Sequence, residues 1–110
     1  MKKNITDSIQ FGEGNFLRAF VDYCIQILND KTSFSGKVNI IQPLPEGMIE
    51  QLKIQKGKYN LFHEGIIQGK TIRDRMQINC VKQMNNPYQE FDQFLELAEN
   101  ENLTFVFSNT

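Results

Sequence analysis

Ile9-Gln10-Phe11-Gly12-Glu13-Gly14-Asn15-Phe16-Leu17-Arg18-Ala19-Phe20-Val21-Asp22 is the stretch on which the reading of this chain turns. Residues 5–11, with Ile5, Ile9 and Phe11 apolar, stop at Gly12 as a strand of limited length does. From Asn15 onward Phe16, Ala19, Phe20, Tyr23 and Ile27 recur at helical spacing, with Arg18, Asp22, Gln26 and Asn29 on the opposite face. This predicts an amphipathic helix of about four turns with its aromatic face inward. A strand that runs through Gly-x-Gly into a helix brings the free N–H groups and partial positive charge of the helix start beyond the strand's carboxyl end, where they suit a phosphate. Gly12 is expected to make the tight turn and Gly14 to allow close approach of a pyrophosphate. Leu17 stands where the usual G-x-G-x-x-G pattern has its third glycine. Alone, Gly-x-Gly is a weak signal, since such pairs also occur in plain turns.

Working outward, a polar break over 29–36 leads to Val38, Ile40 and Ile41, which predict a second strand ended by Pro43 and Pro45. Residues 46–56 are expected to form a short helix with Met48, Ile49 and Leu52 inward, stopped by Gly57. Residues 59–67 and 70–81 read as two strands about Gln68-Gly69, with Ile72, Met76, Ile78 and Cys80 alternating against Arg73, Arg75, Gln77 and Asn79. Asn86-Pro87-Tyr88-Gln89 predicts a helix start with Asn86 as N-cap, Pro87 at the first position and Gln89 closing a capping box. That helix is expected to reach about residue 98 with Phe91, Phe94, Leu95 and Ala98 inward. Residues 103–107 then read as a strand buried on both sides. The alternation predicts an α/β fold: an incomplete Rossmann-type sheet, doubly wound and mainly parallel, with a β-hairpin insertion. No repeat or linker divides residues 1–110 into two domains.

The 110 residues suit one modest core, and 40% hydrophobic and 23% charged residues with a net charge of −1 are those of an ordinary globular chain. The twelve basic residues are scattered, which argues against a nucleic-acid partner. No run approaches the roughly 18 apolar residues of a membrane span, and Lys2-Lys3 is followed by polar residues instead of a signal-peptide core. Cys24 and Cys80 have neither metal spacing nor a disulfide framework and are expected to be reduced and buried, in keeping with a cytoplasmic location.

The quoted string resembles the amino-terminal signature of the mannitol dehydrogenase family of long-chain polyol and sugar-acid dehydrogenases. The nucleotide turn of that family looks like Gly-x-Gly-x-Phe-x-Arg and dispenses with the third glycine. Asn86-Pro87-Tyr88-Gln89-Glu90-Phe91-Asp92-Gln93-Phe94-Leu95 and Phe105-Val106-Phe107-Ser108-Asn109-Thr110 are similar to the sugar-acid branch, so the resemblance spans nearly the whole chain. It implies an NAD cofactor and, for a full-length enzyme, reversible reduction of the keto sugar acid tagaturonate to altronate with NADH. It also implies that Phe11, Gly12, Glu13, Gly14, Asn15 and Phe16 contact the cofactor, mostly through backbone N–H groups, with Arg18 supporting the turn. The proton donor is then expected from a lysine in a helical carboxyl-terminal domain absent from these 110 residues, so that no catalytic residue lies among them. Fructuronate and mannitol enzymes share the turn. A non-catalytic nucleotide-binding or assembly module and a methyltransferase are further alternatives.

Several side chains carry two readings. An acid at the end of the second strand usually grips the ribose of NAD, but the sequence there is Ile40-Ile41-Gln42-Pro43, which leaves Gln42 as a candidate ribose contact. Asn109, beyond the last strand, is a candidate near the ribose or nicotinamide and equally a turn-forming asparagine. Arg18 supports the phosphate turn or pairs with Asp22 at i,i+4. His63, the lone histidine, reads as structural more readily than as a general base, and Arg73-Asp74-Arg75 reads as a solvated strand face. An exposed sheet edge is expected to let the chain self-associate.

Overall fold

The computed structural model describes residues 5–109; Lys2, Lys3 and Thr110, named above, lie outside them. Strand β1 (Ile5–Phe11) runs through the glycine turn into helix α1 (Asn15–Lys31), and β2 (Ser35–Ile41) returns parallel to β1. Helix α2 (Ile49–Ile54) is shorter than predicted, with Ile49 and Leu52 buried as expected. Gly57, at φ +72°, closes it by donating its N–H to the Leu52 carbonyl.

Strands β3 (Tyr59–Ile67) and β4 (Lys70–Ile78) form the antiparallel hairpin about Gln68-Gly69. The second hairpin strand ends three residues earlier than predicted. Beyond Asn79-Cys80 the chain enters the parallel sheet as β5 (Val81–Asn85), a strand absent from the sequence expectation, which assigns Val81 to the hairpin and no element to residues 82–85. Helix α3 (Phe91–Glu96), extended by a 3-10 turn at Leu97–Glu99, precedes β6 (Leu103–Ser108). The sheet order is β5-β2-β1-β6, all parallel, with the hairpin as a separate two-stranded sheet. The α/β architecture with a mainly parallel sheet and a hairpin insertion is therefore as expected.

Two apolar clusters lie on opposite faces of the sheet. Val38 and Ile40 pack with Ile49, Leu52, Ile78 and Cys80 on the side of α2 and the hairpin, whereas Ile9 and Ile41 pack with Leu97. Helices on both faces place the reversal of strand order between β1 and β6.

Four packing expectations are overturned. Helix α1 buries Leu17, Asp22 and Gln26, while Phe16 and Phe20 stack on each other outside, 61% and 59% exposed. The reason lies in what faces the helix. Gln26 Oε1 accepts the Asn79 N–H at 2.9 Å, and Tyr59 meets Asp22, so polar partners line the inner groove.

The helix predicted to begin at Asn86 begins at Phe91, because residues 86–90 form a turn in which Asn86 Oδ1 takes the Tyr88 N–H; no capping box forms. Of its expected inner residues Phe91, Leu95 and Ala98 are exposed, and Leu97 is the buried one. Strand β6 is not buried on both sides: Phe105 and Val106 are exposed, since only β1 pairs with it among the described residues. Cys24 is exposed on α1, and only Cys80 is buried; both thiols are free.

Candidate functional site

Three parallel strands end side by side at the glycine turn, with Phe11 in register with Ile41 on one side and Ser108 on the other. Gly12 continues the ladder one step by donating its N–H to the Ile41 carbonyl at 2.9 Å, and then turns with φ +139°. A side chain at Gly12 would be strained by that φ and would meet Leu17 Cδ1 at 3.1 Å. Leu17, at the position of the missing third glycine, thus fills the space under the turn.

Gly14 caps α1 in an extended conformation with no side-chain cap, and a Cβ there would meet nothing within 4 Å. The first turn of α1 holds no acid, and the first helical bond is Arg18 N–H to the Gly14 carbonyl at 3.3 Å. The N–H groups of Asn15, Phe16 and Leu17 therefore have no partner within the helix, at its positive end.

A cleft of about 200 Å³ opens over this turn. Of the residues predicted from sequence, Phe11, Gly12, Glu13, Gly14, Phe16 and Asn109 all line it. Leu17 and Pro43 complete it and were not foreseen as contacts. Pro43 was read only as a strand terminator, although its place after the second strand carried the signal. Glu13 Oε2 is buried there without a hydrogen-bond partner. Burial pushes the Glu13 carboxyl above its usual pKa, while a backbone hydrogen bond and the Arg18 charge act the other way.

Arg18 and Gln42 do not line the cleft. Arg18 Nη2 donates to Asn15 Oδ1 at 2.9 Å, and its guanidinium lies 5.0 Å above the Tyr59 ring instead of pairing with Asp22. Gln42 is buried, with Nε2 on the Leu44 carbonyl at 2.8 Å and Oε1 accepting the Ile49 N–H at 3.1 Å. It shapes the loop that leads into α2. Asn15 lines a neighbouring recess with Arg18, Tyr59 and Asn60.

Elsewhere, His63 sits on the hairpin with its ring edge-on to Tyr23 at 4.6 Å. Arg73 pairs with Glu64 at 3.1 Å on an exposed face and lies over Phe62. Among the described residues no group of three His, Cys, Asp or Glu side chains is placed to hold a metal. No helix among them is long and apolar enough to cross a membrane.

The sheet order, the helices on both faces and the glycine turn at the strand-order reversal define a Rossmann-type domain, a fold that implies a nucleotide cofactor. The chain belongs to the family described as the mannitol dehydrogenase Rossmann domain, whose profile matches residues 6–107.

It is similar to the altronate oxidoreductases of Phocaeicola vulgatus and Bacteroides thetaiotaomicron, with 42% identity over 102 residues in each case, and to that of Bacillus subtilis, with 40%. Each match covers 93% of this chain and 21% of the relative, so the chain spans about a fifth of the length of these proteins. No solved structure matches it significantly.

Proposed function

We propose that this chain is the NAD(H)-binding part of an oxidoreductase that interconverts tagaturonate and altronate, consuming NADH and a proton in the direction of altronate. The observation that carries this reading is the 40–42% identity to altronate oxidoreductases across 93% of the chain, glycine turn included. The fit of the cofactor rests on open space above Gly14, three N–H groups without helical partners and the unpartnered Glu13 Oε2.

In this reading the backbone N–H groups from Gly14 to Phe16 take the pyrophosphate, with Gly12 setting their direction. Glu13 Oε2 accepts from a ribose hydroxyl, Phe11 and Phe16 flank the cofactor, and Asn109 faces the nicotinamide side. Arg18 supports the turn indirectly, through Asn15 and Tyr59, and Gln42 shapes the rim. The bound nicotinamide supplies the hydride; the proton donor and the sugar-acid site belong to a part of the enzyme beyond these residues. No acid stands directly at the end of β2, where Gln42 and Pro43 follow Ile41, so the preference for NAD over NADP rests on kinship, and the edge of β6 is the surface through which the isolated chain self-associates.

Calorimetry with NADH, NADPH and S-adenosylmethionine tests the assignment. NADH is expected to bind most tightly, without turnover of tagaturonate by these 110 residues alone. No NADH binding, or tighter binding of S-adenosylmethionine, would overturn the cofactor; turnover by the chain alone would overturn the placing of the proton donor elsewhere.

A further inference from the structure

Beneath the glycine turn three polar side chains from different elements meet: the buried Gln10 of β1 and Asp22 of α1, and the half-buried Tyr59 of β3. Gln10 and Asp22 are each 0% exposed. Tyr59 Oη lies 2.7 Å from the Arg18 carbonyl oxygen and 3.1 Å from Asp22 Oδ2. A phenol has one hydrogen, and a carbonyl oxygen only accepts. With Asp22 charged, the one phenolic hydrogen is shared between two acceptors; each contact is a full hydrogen bond when Tyr59 donates to the Arg18 carbonyl and a protonated Asp22 donates to Tyr59. On the other side of Asp22, Gln10 Nε2 is committed to the Gly12 carbonyl at 2.9 Å. Asp22 Oδ1 and Gln10 Oε1 are left without partners.

We propose that Asp22 is a positioning residue for the cofactor turn and acts as a neutral acid. Protonated, it completes the Tyr59 bond that holds the first turn of α1 to the hairpin and leaves Gln10 on the Gly12 carbonyl. Charged, it competes for the Tyr59 hydrogen and for the Gln10 amide, which loosens both ends of the turn. This rests on the glycine turn being the cofactor site.

The groups that face Asp22 are few: Arg18 on its own helix, Tyr59 on β3, Cys80 between β4 and β5, whose thiol meets the Asp22 carbonyl at 3.6 Å, and the neutral Gln10 on β1. Only Arg18 is positive, and its guanidinium is spread over Tyr59 and bonded to Asn15. Burial therefore prevails over the hydrogen bonds and the Arg18 charge, and the Asp22 carboxyl is pushed up to about 7. The toggle falls at neutral pH.

The test is a titration of the 110-residue chain from pH 6 to 9, following the aspartate side-chain carbons and backbone amides by NMR and NADH affinity by fluorescence. The Asp22 carboxyl is expected to titrate near 7 with the Gly12, Gly14 and Asn15 amides moving at the same midpoint, and NADH affinity is expected to fall about tenfold above it. Asp22→Asn, a neutral isostere, should hold the acid-side affinity throughout, whereas Tyr59→Phe should weaken binding at every pH. Turn amides that ignore the Asp22 titration, or an Asp22→Asn profile that still falls, would overturn the proposal. If NADH binds at no pH the cofactor reading fails, and the amide titration still decides whether Asp22 controls the turn.

Discussion

Lys82 Nζ lies 3.3 Å from Asp7 Oδ2 and ties the edge strand β5 to β1 across β2. Asp7 is fully buried, and the same oxygen accepts from Asn100 Nδ2 at 2.8 Å, so three segments meet on one carboxylate at the end of the sheet away from the glycine turn. Lys82→Met would leave a buried charge with a single neutral donor and should cost about 2–3 kcal/mol, somewhat below the range for wholly buried pairs because Lys82 is partly exposed. Urea unfolding would measure it. Asp7→Asn should cost less than the lysine change, as it removes the charge together with the need for it.

The two glycines of the turn should separate folding from binding. Gly12→Ala places a side chain at φ +139° against Leu17 and is expected to destabilise by about 1–3 kcal/mol. Gly14→Ala meets open space at an ordinary φ of −71°, so stability should change by less than about 0.5 kcal/mol while NADH affinity drops tenfold or more. Thermal unfolding and calorimetry on the two variants give opposite patterns.

Stability should fall as pH rises toward neutrality. Asp22 titrates at about 7 when folded against an ordinary value of 3.8, so between these limits the folded chain holds a proton that the unfolded chain has lost. The contribution is complete below the unfolded value and is lost as pH rises through about 7, for at most about 4 kcal/mol in all. Asp22→Asn should flatten the curve of unfolding free energy against pH between 4 and 8; an unchanged curve would assign the effect to other groups.

The two thiols should differ sharply in reactivity. Cys24 is exposed, whereas Cys80 is fully buried with its thiol pushed up to about 12, chiefly by burial and next by the nearby Asp22. One equivalent of a thiol reagent should label Cys24 under native conditions, and the second should react only on unfolding. Labelling of both at comparable rates would mean that the hairpin opens away from α1.

Much of this molecule could be read from the chain itself. The run from Ile5 to Phe11, the glycines and the β2 residues Val38, Ile40 and Ile41 carry local signals strong enough to order the first three elements. What could not be read depended on partners distant in sequence. Strand β5 has the string Val81-Lys82-Gln83-Met84-Asn85, without the alternation or bulk that marks a strand, and it forms because β2 offers an open edge. The inner face of α1 departs from expectation because hydropathy ranks Phe20 above Gln26, whereas the groove beneath presents the Asn79 N–H, which the Gln26 side-chain oxygen accepts. Six of the predicted site residues share the cleft because the turn holds five of them within one short stretch and β6 runs parallel to β1. Arg18 went elsewhere because Tyr59, distant in sequence, competes for it; Gln42 is held by its near neighbour, the Leu44 carbonyl, through a loop conformation that residue type alone does not reveal.

The outward aromatics of α1 also bear on any attempt to engineer this domain. Rules that grease interiors and wet exteriors would act in reverse at Phe20, Asp22 and Gln26 of this helix, though Leu17 obeys them. A polar replacement at Phe20 should raise solubility at little cost in fold, whereas leucine at Gln26 or Asp22, attractive on any hydropathy plot, would strand the Asn79 amide or cut the helix loose from the hairpin.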